Sequence, residues 1–580
     1  MATLVAIPLS RNRAQVGLRC EVITEFSRLE SLAPDWERLF ESVTPAGGMF
    51  QSWAWARAFW SVHGEHLSLC TPVVFEGTTV IGILPVAVRG RTARLLGDPY
   101  ADYNGLLCAP ERAAQVVPLA FAALLDAPVG WTQCVFEGVR AGSPLLKDGP
   151  ALPAWLRLRR QVSFGYSCPA TVDDGAVLRR FSRKHALVNK ENRLKRLGRV
   201  SMRHLEDRNE ILTRHLDGFV EMLVSRQALM GLRSTFLAAD TRAMLRALVT
   251  ELDPARELRF SVLDLDGRPL AYHLGFQHAG KLILYITTFD ADFWNESPGA
   301  VLLRKAFEWA HEERLTELDF SIGDEEYKKR YANQTRETFT VHFDRHPRSP
   351  RTGLRRLVRR HRETIRRNPE KVSRVRRARA TLTDATRRMK HPVGLLRAAC
   401  GGYWPGASSA EHIFVCRPLH IASRAPAAQV RRLTLKDLGL LRLQHASIDN
   451  DAVEACRLAV VQGEALYLVS VDSFHYLFRV AFVGDRAPGE RRDATREVAA
   501  IREVAVFDGS PLRKLAVAFA ALLCTVEPGP EVRIRSRHPG AVRRAMRLAG
   551  YEASVEESTE TSVAEATGGA VTTPVTDAAE

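Results

Sequence analysis

The stretch that decides the fold is YITTFDADFWNESPGAVLLRKAFEWAHEERLTELDFSIGDEEYKKRYA, residues 285–332. Its hydrophobic spacing reads as strand, loop, helix, strand and short helix. Ser297 stands where an N-cap is expected, and Pro298 takes the first helical position. Gly299 follows and lets a ligand approach the backbone. Together they predict a helix over about 298–313 whose first N–H groups suit a pyrophosphate. An ordinary capped helix starts with the same residues, so the order of the surrounding elements carries more weight than Ser-Pro-Gly alone.

Working outward, LRFSVLDLDGRPLAYHLGFQHAGKLILYITTF (258–289) reads as a hairpin turning at Asp266-Gly267. A helical block over about 176–252 precedes it, and the strand-like ETFTVHFD (337–344) follows. Residues 21–165 repeat the style. Trp36 to Phe40 and Trp53 to Trp60 carry helical spacing, and LCTPVVF and VIGILPVAV flank an EGTT turn (69–88). A third α/β pattern occupies 405–551. Its phosphate-loop position reads VFDGSPLRKLAVAF, with Gly509 the only glycine. The tail 552–580 has seven acids and no basic residue, and composition predicts disorder there.

The formal charge of +16 sits in one place. Residues 345–391 hold 18 Lys+Arg and 3 acids; residues 1–344 hold 42 and 41, and 392–580 hold 22 and 22. Within the arm, Leu354, Leu357, Val358 and Ile365 share a helical face, so 345–400 reads as an Arg-rich helical linker. A second cluster carries nine cations over 179–199, relieved by Glu191 alone. The ordinary reading of that cluster is a solvated helix face; a phosphorylated donor, a lipid-linked sugar or tRNA are the ligands it would otherwise suit. The arm lacks interleaved aromatics, which argues against a dedicated nucleic-acid binder. Nine scattered cysteines form no CxxC pair, so neither a zinc knuckle nor a redox dithiol is predicted. No apolar run approaches membrane-spanning length. The expectation is a cytoplasmic protein without metal, with peripheral contact to an anionic membrane surface through 345–391.

In combination these elements resemble the GNAT acyltransferase fold and, more closely, the FemAB-like and CelD-type acyltransferases, the latter tied to bacterial cellulose and exopolysaccharide production. The resemblance rests on AYHLGF (271–276), FDADFWNESPGAVLL (289–303), LDFSIGDEEYKKRYA (318–332) and SRKHALVNKENRLKRLG (182–198). In the first half it rests on FQSWAWARAFW (50–60), GILPV (82–86) and LLGDPYADYNGLL (95–107). It implies mixed-sheet α/β architecture: tandem GNAT-like halves over 21–165 and 166–344, the basic linker, and a degenerate third copy. It further implies direct transfer from acetyl-CoA or another acyl-CoA to an amine or hydroxyl, with a sugar or cell-envelope precursor as acceptor.

The resemblance places acyl-CoA on Ser297, Pro298, Gly299, Ala300 and Leu303. It assigns catalysis to Asp319, Tyr327 and Lys328: Asp319 as the base, Tyr327 as proton donor, Lys328 holding an anionic group. Asp102, Tyr103, His273, Asp290 and Arg330 are the candidate substrate contacts. Each has a structural alternative. Asp319 would pair with Lys328 or Arg330, Asp102 would cap a turn, and His273 would be a core histidine. Two other functions remain open: a FemAB-type transferase using charged tRNA, and a non-catalytic scaffold of a polysaccharide-synthesis complex.

Overall fold

Asp266 and Gly267 both take left-handed φ, 51° and 82°, as a tight hairpin turn requires, and the two long strands on either side of them organise the first part of the molecule. In this computed structural model the described residues are 17–43, 48–146, 156, 160–172, 175–232, 234–323 and 325–345. In the last third they are 412–418, 428–444, 448, 450–462, 464–472, 474–482, 498–506, 512–526, 528–536, 541–545 and 551–556. The chain folds as two units, the first within residues 1–380 and the second mainly 381–580.

The first half of unit one runs β1 (Leu18–Ile23), α1 (Phe26–Glu30), α2 (Ala33–Ser42), α3 (Trp53–His63), β2 (Ser68–Leu69), β3 (Thr71–Glu76), β4 (Thr79–Ile83), β5 (Val86–Arg89), β6 (Thr92–Leu95), β7 (Leu107–Cys108), α4 (Ala113–Asp126) and β8 (Gln133–Arg140). The second runs β9 (Arg160–Val172), α5 (Gly175–Ser182), α6 (His185–Lys195), β10 (Val200–Leu205), α7 (Leu216–Leu229), α8 (Ala239–Glu251), β11 (Leu258–Leu265), β12 (Arg268–His278), β13 (Lys281–Phe289), α9 (Pro298–Glu312), β14 (Glu317–Asp319), α10 (Glu326–Tyr331) and β15 (Gln334–Asp344). The strand β10 is a correction, since the periodicity over 176–252 predicts only helix. Its alternating half-exposed pattern is that of an edge strand beside β11.

A four-stranded sheet, β1-β3-β4-β7, belongs to the first half. The second sheet has eleven strands in the order β10-β11-β12-β13-β14-β9-β15-β8-β6-β5-β2, so both halves contribute to it. The crossing is made by β9 and β15. β9 lies between β14 and β15, and β15 pairs with β8 from Thr338↔Arg140 to Asp344↔Gln133. Val341 and Phe343 of β15 are fully buried in the first half's core, where the Phe343 ring lies 4.7 Å from that of Phe121. Arg345, the first residue of the basic arm, donates to the carbonyls of Leu125, Ala127 and Val129 beyond the end of α4. The rest of the arm lies outside the described residues.

Unit two runs β16 (His412–Pro418), β17 (Gln429–Leu433), α11 (Leu435–Gln444), α12 (Asn450–Val461), β18 (Ala465–Val471), β19 (Phe474–Phe482), β20 (Val498–Val506), α13 (Leu512–Thr525), β21 (Pro528–Ser536) and β22 (Tyr551–Glu556). Its sheet order is β17-β18-β19-β20-β21-β16-β22. That is the order of β10 to β15 with β9, repeated: the strand that begins each copy inserts between the strand after the long helix and the last strand. β22 corrects the expected tail, because 552–556 pair with β16 rather than belonging to a disordered end. Gly509 and its loop lie outside the described residues.

Candidate active site

β13 and β14 run parallel but pair only over Lys281↔Glu317, Leu282↔Leu318 and Ile283↔Asp319. β13 then continues for six residues, to Phe289, without β14 beside it. The strands part because β14 stops at Asp319 and the chain turns at Ser321, which adopts a left-handed φ of 59°. A bulge on the other side of β13, between Leu274↔Ile286 and Phe276↔Ile283, increases its twist there. Gly275 is required at the bulge: a Cβ would sit 2.2 Å from the Ile283 carbonyl oxygen. The Asp290 N–H donates to the Leu270 carbonyl. By the alternation of an antiparallel ladder, the main-chain groups of Thr287 and Phe289 therefore face the gap.

The first half closes its own equivalent. β6 and β8 pair in parallel at Thr92↔Gln133 and Ala93↔Cys134, and Asn104 rejoins β8 at Val139. The intervening loop, 96–103, is held by Asn104 Nδ2 on the Leu96 carbonyl at 2.8 Å. Gly138 leaves room for it, since a Cβ there would lie 2.7 Å from the Asp102 carbonyl oxygen. That loop carries Asp102 and Tyr103 to the end of β14.

There they meet Asp319, 2% exposed. Its Oδ1 accepts from the Tyr103 hydroxyl at 2.9 Å and the Ser321 N–H at 2.7 Å, and its Oδ2 from Arg336 Nη1 at 2.9 Å. Burial pushes the Asp319 carboxyl above its ordinary range, while Arg336 and Arg140 pull the other way. Both oxygens are thus engaged, and the ion-pair partner of Asp319 is Arg336, neither Lys328 nor Arg330. Asp102 differs. The Ser321 hydroxyl donates to its Oδ2, no cation pairs with it among the described residues, and burial pushes its carboxyl up to about 7. Beneath this pair, Phe50, Trp55, Tyr103, Phe276 and Tyr285 form an aromatic cluster with ring centroids 4.9–6.1 Å apart. FQSWAW thus supports the site from below, and Trp55, 1% exposed, is core.

Several expected contacts are spent elsewhere. His273 is buried, held neutral by burial with its pKa lowered to about 3, and belongs to the core. Asp290 accepts from the Asp292 N–H at 3.0 Å and from Arg268 at 2.6 Å, so it caps the short turn at 291–293. Lys328 is 4% exposed, its ammonium on the Ile322 carbonyl at 2.6 Å and Glu325 at 3.0 Å. It fixes the loop after Ser321 and does not present its charge to solvent. Ser297 takes the expected N-cap position, with Pro298 at the first helical position, but with a left-handed φ of 56° its side chain makes no cap bond; its carbonyl accepts from Ala300 at 2.9 Å. Leu303 is buried in the core with Leu282 and Phe307, and Pro298 is buried too. Gly299 and Ala300 stay half-buried at the start of α9, and Arg330 is exposed on α10.

Along the open edge of β13 stands Tyr327, 37% exposed, while desolvation at its hydroxyl, near Thr287, raises its pKa, so it stays protonated. Arg226 of α7 donates to the Thr287 carbonyl at 3.0 Å, with its guanidinium 5.1 Å from the Phe289 ring centre. A Cβ at 299 would press on the same ring, 3.1 Å from Phe289 Cδ1. Sequence patterning singled out neither Arg226, Ser321 nor Arg336, because each is lone within its element and meets its partners only through the sheet.

The gap between β13 and β14 and the helix start at its far end lie within one segment, 182–329, that comparison with known proteins singles out. Residues 182–329 match the family model described as acetyltransferase (GNAT) domain. That segment of the chain is therefore similar to a GNAT-type acetyltransferase domain. No curated protein matches the chain. Among solved structures, FemX is 12% identical with a TM-score of 0.36, covering 53% of this chain and 95% of its own. L-PGS from Bacillus licheniformis is 13% identical, TM-score 0.36, covering 60% and 98%. A tandem GNAT protein from the clavulanic acid biosynthesis pathway is 15% identical, TM-score 0.33, covering 57% and 100%. The GNAT segment holds Ser321, Arg226 and Asp319 but not Asp102, which the first half supplies. Among the described residues no three-residue metal-ligating group occurs, and no helix is long and apolar enough to cross a membrane.

Proposed function

We propose that the protein transfers an acyl group from an acyl-CoA thioester to an amine or hydroxyl, with Asp102 as general base. The observation that carries this is Asp102 itself: a part-buried carboxyl with no ion-pair partner among the described residues, bonded to Ser321 beside the end of β14, with desolvation pushing its pKa up to about 7. A base is most effective when its pKa lies near the working pH. The residues fit the donor. The edge of β13 that β14 leaves uncovered, with Arg226 on its Thr287 carbonyl, suits an extended amide chain at Phe289, and Gly299 keeps the start of α9 against that edge. In the step itself, the acceptor's N or O bonds to the carbonyl carbon, the C–S bond breaks, and the acceptor's proton passes to Asp102. Holding both substrates in one gap supplies much of the rate. A sugar or cell-envelope precursor as acceptor is supported by the family resemblance.

Calorimetric titration of the full chain with acetyl-CoA and longer acyl-CoA tests the donor, and release of free thiol on adding amino-sugar nucleotides tests the reaction. Failure of every acyl-CoA to bind overturns the proposal. Charged tRNA is the second reading, favoured by the exposed cations Arg179, Arg180, Arg183, Arg193 and Arg196 on and beside α5 and α6. It predicts binding of tRNA that 0.5 M salt abolishes.

A further inference from the structure

Arg226 is a cation along the open edge of β13 with no ion-pair partner among the described residues. Its side chain is half-buried, and its Nε–H is fully buried without an acceptor. Burying a guanidinium N–H without an acceptor is costly, and desolvation lowers the Arg226 pKa accordingly. Of the other cations at the gap, Arg336 pairs with Glu317 and Asp319, Lys328 with Glu325, and Arg140 lies over the Tyr103 ring, where Asp319 acts on it. The titratable groups acting on Arg226 are Tyr327, which stays neutral, and Glu325, already engaged by Lys328.

Its position is specific. The one bond it makes is to the gap-facing carbonyl of Thr287, and its guanidinium lies over Phe289. The first turn of α9 abuts the same ring at Gly299. A guanidinium and a fifteen-residue helix's positive end thus share one aromatic ring at the outer end of the gap. Guanidinium and helix start both favour an oxyanion, and a phosphate satisfies both at once.

We infer that Arg226 is the anion-binding residue of the gap and holds a phosphate group of the substrate that lies along β13. This rests on the acyltransfer reading for what the substrate does, but not for its phosphate. Two sources share the chemistry: the diphosphate of a CoA donor and that of a nucleotide-activated acceptor.

The test is calorimetry on the full chain and on Arg226→Gln and Arg226→Lys, with CoA, pantetheine, inorganic pyrophosphate and a UDP-amino sugar as probes. We expect CoA and pyrophosphate to bind the wild type at least tenfold more tightly than Arg226→Gln. Pantetheine, which has no phosphate, binds both alike, and Arg226→Lys keeps part of the affinity. If pyrophosphate and the UDP-amino sugar bind through Arg226 while CoA does not, the phosphate is the acceptor's, and the acyl-CoA reading falls while the inference stands. If no phosphate probe distinguishes Arg226→Gln from the wild type, and the Arg226→Lys melting curve shows the fold intact, the inference is overturned.

Discussion

Asp102 and Ser321 are 219 positions apart and meet by one hydrogen bond. That bond lowers the Asp102 pKa against the larger upward push of burial. Ser321→Ala therefore shifts the acidic limb of the pH–rate profile upward; activity falls at pH 7 and recovers towards pH 9. An unshifted limb would remove Asp102 from the proton path. Asp102→Asn lowers turnover about 10²–10⁴-fold if Asp102 is the base. Its effect on stability has the opposite sign. A carboxyl whose folded pKa is about 7 against 3.8 unfolded stabilises the fold below pH 4 and loses that contribution as pH rises to 7. Asp102→Asn then melts at a higher temperature than the wild type at pH 8 and at the same temperature near pH 4, by about 1–4 kcal/mol at the upper pH. Thermal melts at both pH values check this.

At the scale of elements, the hairpin at Asp266-Gly267, α9 and β15 were legible because turn chemistry and periodicity are local. The site was legible only in part. Asp102, Tyr103 and Asp319 come together as a set, yet their roles depend on Arg336 and Ser321, whose partners lie in other elements. Ser297 looked like a side-chain cap because residue type does not reveal a left-handed φ, and β10 was hidden inside a helical block because an edge strand needs only half of its faces apolar. The bulge of β12 and β13 gives an element-level prediction. Gly275→Ala would place its Cβ 2.3 Å from His273 Nε2 as well as against the Ile283 carbonyl. We expect a loss of about 2–3 kcal/mol in denaturant unfolding. Gly299→Ala, with its nearest neighbour at 3.1 Å, should unfold near the wild-type midpoint but bind acyl-CoA more weakly.

For the whole molecule, the eleven-stranded sheet makes the two halves of unit one a single folding object. Phe343→Ala, late in the sequence, should destabilise the early half by about 3–5 kcal/mol, because its ring packs on Phe121 and Trp131. Hydrogen exchange of α4 and β8 reports that directly. Residues 166–344 expressed alone should fail to give a soluble monomer, since β15 loses β8 and exposes an apolar edge.

The exchange of β15 into the first half also sets a clock on synthesis. The chain leaves the ribosome N-terminus first, and β8 is complete about 200 residues before β15 emerges to cover it. Throughout that interval the nascent first half carries a strand, β8, paired only on its β6 side, and a core still missing Val341 and Phe343. Slow translation or premature termination between 141 and 333 would therefore leave a product that invites chaperones or aggregation, while release past 344 closes both halves together.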